Sequence, residues 1–143
     1  IVETNYPDNE FDFVISAAVL HHIPSKELRN LAIREIYRVT KPNGKVLITN
    51  WYFWNKPKYL KEIIKSATLR ILRKSDLDSG DFYMVWKNHK REKITERYFH
   101  PWRIREINNY LKNAGFINIQ SNTYLRKKHR VGKNLISTAQ KPR

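Results

Sequence analysis

Cationic and aromatic side chains are interleaved in three stretches of the chain, and this mixture suits chemistry on an anionic substrate. The stretches are residues 51–54 (WYFW), 86–91 (WKNHKR) and 97–102 (RYFHPW). Cations contact phosphates and aromatic faces stack on unpaired bases, so such stretches are typical of proteins that bind single-stranded or loop RNA. The alternative is that the rings pack in a hydrophobic core, and we expect about half of them to do so.

The charge of the chain is unevenly distributed. Lys and Arg number 28 against 13 Asp and Glu, which gives a formal net charge of +15 over 143 residues. Residues 1–50 are net neutral, so the whole excess lies after Asn50. A neutral scaffold joined to a polyanion-binding surface produces this asymmetry, and nucleic acid is the first expected partner. The competing explanation, a uniformly basic surface, does not predict a neutral first third.

The rest of the composition excludes several classes of protein. With 41% hydrophobic and 13% aromatic residues the chain can build a core, so we predict a globular protein. The absence of cysteine excludes disulfides and thiolate metal sites and fits a reducing compartment, so we expect a cytoplasmic protein. The apolar run 13–20 is far shorter than the roughly 20 residues that span a bilayer. We predict no metal site, because His21 and His22 are adjacent and cannot share one helix face.

The first half of the chain has the pattern of a β-α-β unit. Residues 11–20 are almost uninterruptedly apolar, which predicts a strand buried on both faces, as in parallel sheets. Ser25 caps a helix whose apolar residues recur at three and four positions up to Val39. Residues 41–45 (KPNGK) form a turn, and a second strand follows over 46–53.

The end of the first predicted strand marks a candidate site. Ligands bind at the carboxyl ends of strands in open α/β sheets, so we expect Ser16, Ala17 and the turn at His21 and His22 to line one crevice. Trp51 follows the second strand and would line the same crevice. Core packing is the alternative for Trp51, and a purely structural role at a strand end is the alternative for His21.

The second half of the chain predicts two further helices and a terminal hairpin. A basic amphipathic helix is expected over 57–74, with Tyr59, Leu60, Ile63, Ile64, Ala67 and Ile71 on its apolar side. Residues 81–97 have no clear pattern. The remaining expected elements are a helix over 102–113 that ends at Gly115, and two strands, 116–125 and 134–139, around the basic turn 126–133.

Four short motifs, together with the order of elements, carry a family resemblance. They are residues 7–12 (PDNEFD), 14–22 (VISAAVLHH), 34–39 (REIYRV) and 41–45 (KPNGK). They resemble the second half of the Rossmann-like class I methyltransferases, which use S-adenosylmethionine. The resemblance implies the C-terminal half of that α/β fold, a mixed sheet with a terminal antiparallel hairpin. The Gly-rich turn and the acidic residue that hold the cofactor in this family are expected before Ile1.

A narrower resemblance rests on residues 81–86 (DFYMVW) and 97–100 (RYFH). These segments are similar to the Asp-x-x-x-Pro-Trp and Arg-Tyr-Tyr-His segments of the carboxymethyluridine tRNA methyltransferases, with Val85 and Phe99 as departures. The resemblance implies a tRNA substrate, methyl-esterified on wobble uridine without a general base, and a small zinc-containing activator protein as partner. The cofactor would lie near Ser16, Ala17 and His21. The substrate contacts that we expect are His22, Trp51, Asp81, Trp86, Lys87, Arg97, Tyr98 and His100.

Three functions stay open at this level. The first is the tRNA wobble-uridine methyltransferase; the second is a class I methyltransferase for a small molecule or another acceptor; the third is a non-catalytic basic RNA-binding module. In each case we expect residues 1–143 to be the C-terminal part of a single domain, with residues 51–101 as a basic insertion that recognises the substrate. We further expect residues 1–143 alone to have no measurable cofactor affinity.

Overall fold

The computed structural model describes residues 2–90, 92–125 and 133–143, and it confirms the predicted mixed α/β fold. The elements are β1 (Phe11–Ala17), a 3-10 turn (Leu20–His22), α1 (Lys26–Val39), β2 (Thr40–Tyr52), α2 (Pro57–Ile71), β3 (Phe82–Lys87), β4 (Lys93–Phe99), α3 (Ile104–Ala114), β5 (Ile117–Leu125) and β6 (Lys133–Gln140). A four-stranded sheet has the order β1-β2-β6-β5, and a separate two-stranded sheet is formed by β3 and β4.

The predicted β-α-β unit is confirmed. The hydroxyl of Ser25 accepts the Leu28 backbone N–H at 3.3 Å and caps α1. β1 and β2 are parallel, with Ser16 opposite Ile48. β2 begins earlier than predicted, at Thr40, because the 41–45 segment also pairs: the Lys141 backbone N–H donates to the Gly44 carbonyl at 2.9 Å.

The prediction that the first strand is buried on both faces is wrong for the described residues. Phe13 and Ile15 are 51% and 59% exposed, whereas Val14 and Ser16 on the opposite face are partly or fully buried. The reason is that α1 and α3 both pack against the opposite face, which carries Val14 of β1 with Val46 and Ile48 of β2. The face of Phe13 and Ile15 is left uncovered, and an apolar strand edge of this kind favours aggregation.

Two hydrophobic clusters hold the elements together. The larger cluster joins α1, β2, α3 and β6 through fully buried side chains such as Ile33, Ile48, Ile107 and Leu135. Burying each of these side chains contributes roughly 1.5–3 kcal/mol. The smaller cluster contains Phe53, Ile63, Phe82 and Phe99, and it attaches α2 and the two-stranded sheet to the end of β2.

Helix α2 exists as predicted, but its apolar side is mostly uncovered. Of the predicted apolar residues only Ile63 is buried, whereas Leu60, Ile64 and Ile71 are exposed. The helix touches the core along a narrow line through Ile63 and Ser66, because the small cluster offers only a few aromatic rings to pack against.

The second half of the chain contains two hairpins. Residues 81–97, for which the sequence has no clear pattern, form most of the β3–β4 hairpin. The predicted terminal hairpin is confirmed as β5 and β6, whereas the basic turn 126–132 between them lies outside the described residues.

Two searches cover the described residues only. None of their helices has the length and hydropathy of a membrane span. Among the same residues no group of three His, Asp or Glu side chains is arranged to hold a metal ion.

Candidate active site

The carboxyl ends of β1 and β2 lie side by side at the place where the sequence predicts a crevice. Ser16 near the end of β1 and Asn50 near the end of β2 are both buried, with 4% and 1% of their surface exposed. The chain then turns sharply at Ala18, whose φ is 57°, and the Ala18 N–H donates to the Thr49 carbonyl at 2.9 Å. A non-glycine residue in this left-handed region is uncommon and is found at functional turns. Ala17, the last residue of β1, is exposed at the same place.

His21 lies fully buried next to the ends of β1 and β2. Its backbone N–H donates to Asn50 Oδ1 at 3.1 Å. Its ring Nδ1 lies 3.2 Å from the same oxygen, and the Trp51 backbone N–H points at this nitrogen from 3.4 Å. Burial, helped by the neighbouring His22, lowers the pKa of His21 to about 4, so the ring is neutral at pH 7. Nε2 of a neutral imidazole donates or accepts a hydrogen bond according to the tautomer.

Three buried polar atoms of the crevice have no hydrogen-bond partner within the described residues. They are Ser16 Oγ, His21 Nε2 and Asn50 Nδ2. Leaving a buried polar atom unpaired costs about 1–3 kcal/mol, so these atoms at the ends of β1 and β2 are candidates for bonds to a ligand. A hydroxyl, an imidazole nitrogen and an amide donor together suit the ammonium and carboxylate groups of an amino-acid moiety. The residues present therefore fit the methionine end of S-adenosylmethionine, which the family resemblance implies.

A stack of rings covers one side of the crevice. His21 stacks on Phe99 with centroids 5.6 Å apart and planes 7° apart, and on Trp51 at 5.6 Å and 26°. Phe53 and Phe99 are buried, whereas Trp51 remains 37% exposed. The rings of the basic stretches therefore divide between the core and the surface, as the sequence predicts.

The β3–β4 hairpin is fastened to the turn that follows β1. The His100 backbone N–H donates to the His21 carbonyl at 2.8 Å. The exposed ring of His22 donates through Nδ1 to the Tyr98 carbonyl at 3.0 Å, because a carbonyl oxygen can only accept. These two contacts bring the predicted residues His21, His22, Tyr98 and His100 together at one place.

The exposed part of the hairpin carries a cation stacked on a ring. The Arg97 guanidinium carbon lies 4.2 Å from the centroid of the Trp86 ring, which is 36% exposed. Such a pair holds a planar cation and an aromatic surface in one orientation, which suits an anionic, aromatic substrate. Lys87, also predicted to contact the substrate, ends β3, but its side chain lies outside the described part of the chain.

Behind the hairpin lies a buried ion network of Arg29, Asp78, Asp81, Tyr98, His100 and Glu106. Asp81 is fully buried and accepts hydrogen bonds from the Tyr98 hydroxyl and from His100 Nδ1, the latter at 2.5 Å. His100 Nε2 donates to Glu106 at 3.0 Å. With a carboxylate at each nitrogen, His100 is a double donor, and the imidazolium form satisfies both contacts.

Arg29 of α1 is the cation of this network and is only 2% exposed. Its Nη1 donates to the Tyr98 hydroxyl at 2.9 Å and lies 3.5 Å from Asp81, while Nη2 pairs with Asp78 at 2.6 Å. Burial opposes the charged form of Arg29, but Tyr98 and Asp81 outweigh it and raise the pKa of the guanidinium. Burial and the bond to Asp81 raise the pKa of Tyr98, so its hydroxyl stays protonated.

The structure changes the place of three predicted substrate contacts. Asp81 and His100 are buried, and their polar atoms are taken up within the ion network, as is the hydroxyl of Tyr98. They do not offer a free polar atom to a substrate, because the network has already paired them. Their geometry is that of positioning residues, whereas Trp51, Trp86, Arg97 and His22 are exposed.

Sequence reasoning missed Arg29 and Asn50. The signal for Arg29 is its spacing, since it precedes the buried Ile33 and Ile36 of α1 by four and seven positions and therefore lies on the apolar face. The signal for Asn50 is a polar residue that interrupts the apolar end of a strand at the carboxyl edge of the sheet.

Known proteins resemble the chain in sequence. Residues 1–48 match the methyltransferase domain family. A tRNA (carboxymethyluridine(34)-5-O)-methyltransferase of Schizosaccharomyces pombe is 27% identical over 130 residues, covering 77% of this chain and 51% of that protein. The enzyme of the same name from Xenopus tropicalis is 46% identical over 57 residues, covering 36% of this chain and 9% of that protein. The chain spans about half the length of the curated relatives that it matches over most of its residues.

Solved structures resemble the chain in fold. A SAM-dependent methyltransferase from Methanosarcina mazei superimposes with a TM-score of 0.74 at 20% sequence identity, and the match covers 99% of this chain and 64% of that protein. The four-stranded sheet, its helices and the hairpin all fall within this match.

Proposed function

We propose that the protein methylates tRNA, because its residues 1–48 match the methyltransferase domain family and its fold is that of solved S-adenosylmethionine-dependent methyltransferases. The acceptor that we propose is a carboxymethyl group on the wobble uridine, as the names of the relatives from S. pombe and X. tropicalis describe for those proteins. The observation that carries the proposal is the exposed Arg97–Trp86 pair on a hairpin fastened beside the crevice at the ends of β1 and β2.

Ser16, His21 and Asn50 would hold the cofactor. Their unpaired buried atoms offer a hydroxyl, an imidazole nitrogen and an amide donor to its amino-acid end, and Ala17 lies next to Ser16 at the end of β1. When bound, the cofactor supplies an electrophilic methyl group on a sulfonium. The rings of His21, Trp51 and Phe99 would shield one side of the bound cofactor from water.

Positioning and electrostatics are enough for this reaction. A carboxylate is already an anion at neutral pH, so its attack on a methyl group needs alignment rather than a general base. In the proposal, Arg97 and Lys87 hold the carboxylate or the phosphates, and Trp86 and Trp51 stack on the base. His22 contacts the substrate beside them, while Asp81, Tyr98 and His100 hold the hairpin in place.

Two wider features belong to the same proposal. The family resemblance implies a small zinc-containing activator protein, and the exposed apolar side chains Phe13 and Ile15 of β1 would be available to such a partner. A cytoplasmic location suits a tRNA-modifying enzyme and fits a chain without cysteine.

The experiment uses the protein expressed from its complete reading frame, with the activator protein added where activity requires it. Cellular tRNA is incubated with S-adenosylmethionine that carries a labelled methyl group, and the tRNA is then treated with mild alkali. Label that enters tRNA and is released by alkali shows a methyl ester on an RNA carboxylate. Binding of tRNA without labelling would contradict the proposal in favour of an RNA-binding module. Label found only in small molecules would contradict it in favour of another acceptor.

Replacing Arg97 by Ala tests the substrate site. We expect kcat/KM for tRNA to fall at least about tenfold, because the cation is lost and the Trp86 ring loses the group that stacks on it, while cofactor affinity stays unchanged. Arg34→Ala is the matched control, since Arg34 is an exposed cation on α1. An unchanged rate for Arg97→Ala would remove Arg97 from the site.

A further inference from the structure

We propose that Arg29 is a positioning residue: its buried contacts with Asp78, Asp81 and Tyr98 fix the β3–β4 hairpin beside the crevice and thereby set the position of Arg97 and Trp86. The inference rests on the proposed function for the identity of the substrate. Its structural part, the coupling of α1 to the hairpin, stands on the geometry of the network alone.

The two ends of the hairpin differ in burial. Its end near the core is buried, with Phe82 and Phe99 at 4% and 0% exposure, but its far end is open, with Val85 and Ile94 at 43% and 61%. Two strands alone are only marginally stable in water. The orientation of the open end, which carries Trp86, therefore depends on how firmly the inner end is held.

The network reaches the hairpin from both strands. Asp81 immediately precedes β3, and Tyr98 lies in β4 opposite Tyr83. Arg29 contacts Tyr98 at 2.9 Å and Asp81 at 3.5 Å, so one guanidinium group holds the start of one strand and the end of the other. Because neighbouring residues of a strand point to opposite faces, fixing Tyr98 on one face sets the direction of Arg97 on the other.

The same guanidinium also holds the loop before the hairpin. Asp78 pairs with Nη2 at 2.6 Å, and Arg29 further donates to the Ile23 carbonyl at 3.2 Å, next to the turn that carries His21 and His22. Arg29 thus joins the three segments that surround the crevice: the turn after β1, the loop before β3, and β4. A planar, forked donor group makes this possible, and a lysine ammonium cannot reproduce it.

Arg29 acts through other residues rather than on the substrate. Only 2% of its surface is exposed, and its Nη atoms are taken up by protein oxygens. A change at Arg29 should therefore affect the substrate that the hairpin binds and spare the cofactor. Of the proposed cofactor residues, Ser16 and Asn50 belong to the main sheet, and His21 is bonded to Asn50.

The test compares Arg29→Ala, Arg29→Lys and the control Arg34→Ala in the protein expressed from its complete reading frame. Hydrogen exchange of the 82–87 and 93–99 amides is measured first, followed by steady-state kinetics for tRNA and for the cofactor. For Arg29→Ala we expect at least about tenfold faster exchange in the hairpin, unchanged exchange in β2 and β6, and at least a tenfold loss of kcat/KM for tRNA. We expect less than about a twofold change in cofactor affinity, and Arg29→Lys should fall between Arg29→Ala and the native protein.

Tyr98→Phe provides the second variant if Arg29→Ala does not fold. It removes one hydroxyl that joins Arg29 and Asp81 to β4 and keeps the ring. We expect the same changes in hairpin exchange and in kcat/KM for tRNA, each of smaller magnitude. Unchanged exchange in the hairpin, or equal acceleration in β2 and β6, would overturn the proposal. The exchange measurement needs no activity, so a native protein that does not methylate tRNA would refute the proposed function while the role of Arg29 is still decided.

Discussion

Backbone conformation at single residues determines where the elements of this protein begin and end. Gly115 ends α3 with a φ of 105°, in the left-handed region that glycine adopts without strain. A Cβ atom at this position would lie 3.0 to 3.1 Å from three atoms of the Tyr37 ring. Both the end of the helix and its contact with α1 therefore depend on the absence of a side chain.

Gly115→Ala should destabilise the fold. We expect the free energy of unfolding to fall by about 1–2 kcal/mol, because alanine is strained at this φ and the Tyr37 ring must move. Urea unfolding measures the change, with Lys112→Ala, an exposed substitution in the last turn of α3, as the control. A change within about 0.5 kcal/mol, the usual range for surface substitutions, would contradict the prediction.

Residues with local partners were predictable, and those with distant partners were not. Ser25 bonds to Leu28, three positions away, and Gly115 follows directly from the end of a periodic helix, so the sequence indicates both. Arg29 donates hydrogen bonds to Asp78 and Tyr98, 49 and 69 positions away, and no local sequence pattern around Arg29 indicates these partners. The same reason applies to Asp81 and His100, whose pairing within the ion network arises only in the folded chain.

At the scale of elements, the β3–β4 hairpin is held in part by an ionisable side chain, that of His100. Four ionisable groups surround His100. They are Asp81 at the start of β3, Glu106 in α3, Arg29 in α1 and Tyr98 in β4. Burial lowers the pKa of His100, but the bonds to Asp81 and Glu106 outweigh it and raise the pKa above the ordinary value. The imidazolium is thus favoured in the folded state.

The attachment of the hairpin should weaken at alkaline pH. A group whose pKa is higher in the folded than in the unfolded state stabilises the fold. For a histidine this contribution is complete below the unfolded pKa, about 6.5, and it is lost as the pH rises through the folded pKa. We expect stability, measured by urea unfolding, to fall as the pH rises from about 6 towards 9, a range in which Arg29 and Tyr98 keep their protons because their pKa values are raised.

His100→Gln is the variant that isolates this contribution, and His89→Gln, at an exposed histidine of the loop between β3 and β4, is its control. The decline with pH should be smaller in His100→Gln and unchanged in His89→Gln. An identical decline in His100→Gln and the native protein would assign it to another group.

Elements with a regular pattern were predictable, and the hairpin was not. Helix α1 and strand β1 have clear periodicity or apolar runs. Strands β3 and β4 are buried at one end, through Phe82 and Phe99, and exposed at the other, so their polar and apolar residues do not alternate. For α2 the spacing of apolar residues predicts the helix, but it does not indicate how much of the apolar face is buried against other elements.

At the scale of the whole molecule, the positive charge follows the division between scaffold and substrate region. The neutral first third supplies β1, α1 and most of β2, whereas the excess of +15 lies on the later elements. Cations that contact phosphates release counterions, so the logarithm of affinity falls linearly with the logarithm of salt concentration.

The salt dependence of the affinity for tRNA should arise only from cations on the elements that follow Asn50. We expect the double variant Lys61→Ala/Lys65→Ala, at exposed positions of α2, to reduce the slope of log affinity against log salt by about 1 to 2. The control Arg34→Ala/Lys45→Ala removes two exposed cations of the neutral third and should leave the slope unchanged. Filter binding across a salt series measures both, and equal reductions would indicate that charge acts without regard to position.

The position of β6 has a consequence for how the protein is made. β6 lies between β2 and β5 and pairs antiparallel with both, and its Leu135 and Ser137 are buried in the middle of the sheet. During translation, β2 and β5 leave the ribosome before the strand that joins them. The nascent chain therefore carries two unpaired strand edges until the residues of β6 have emerged, and the sheet closes late in synthesis, in one step that inserts its central strand.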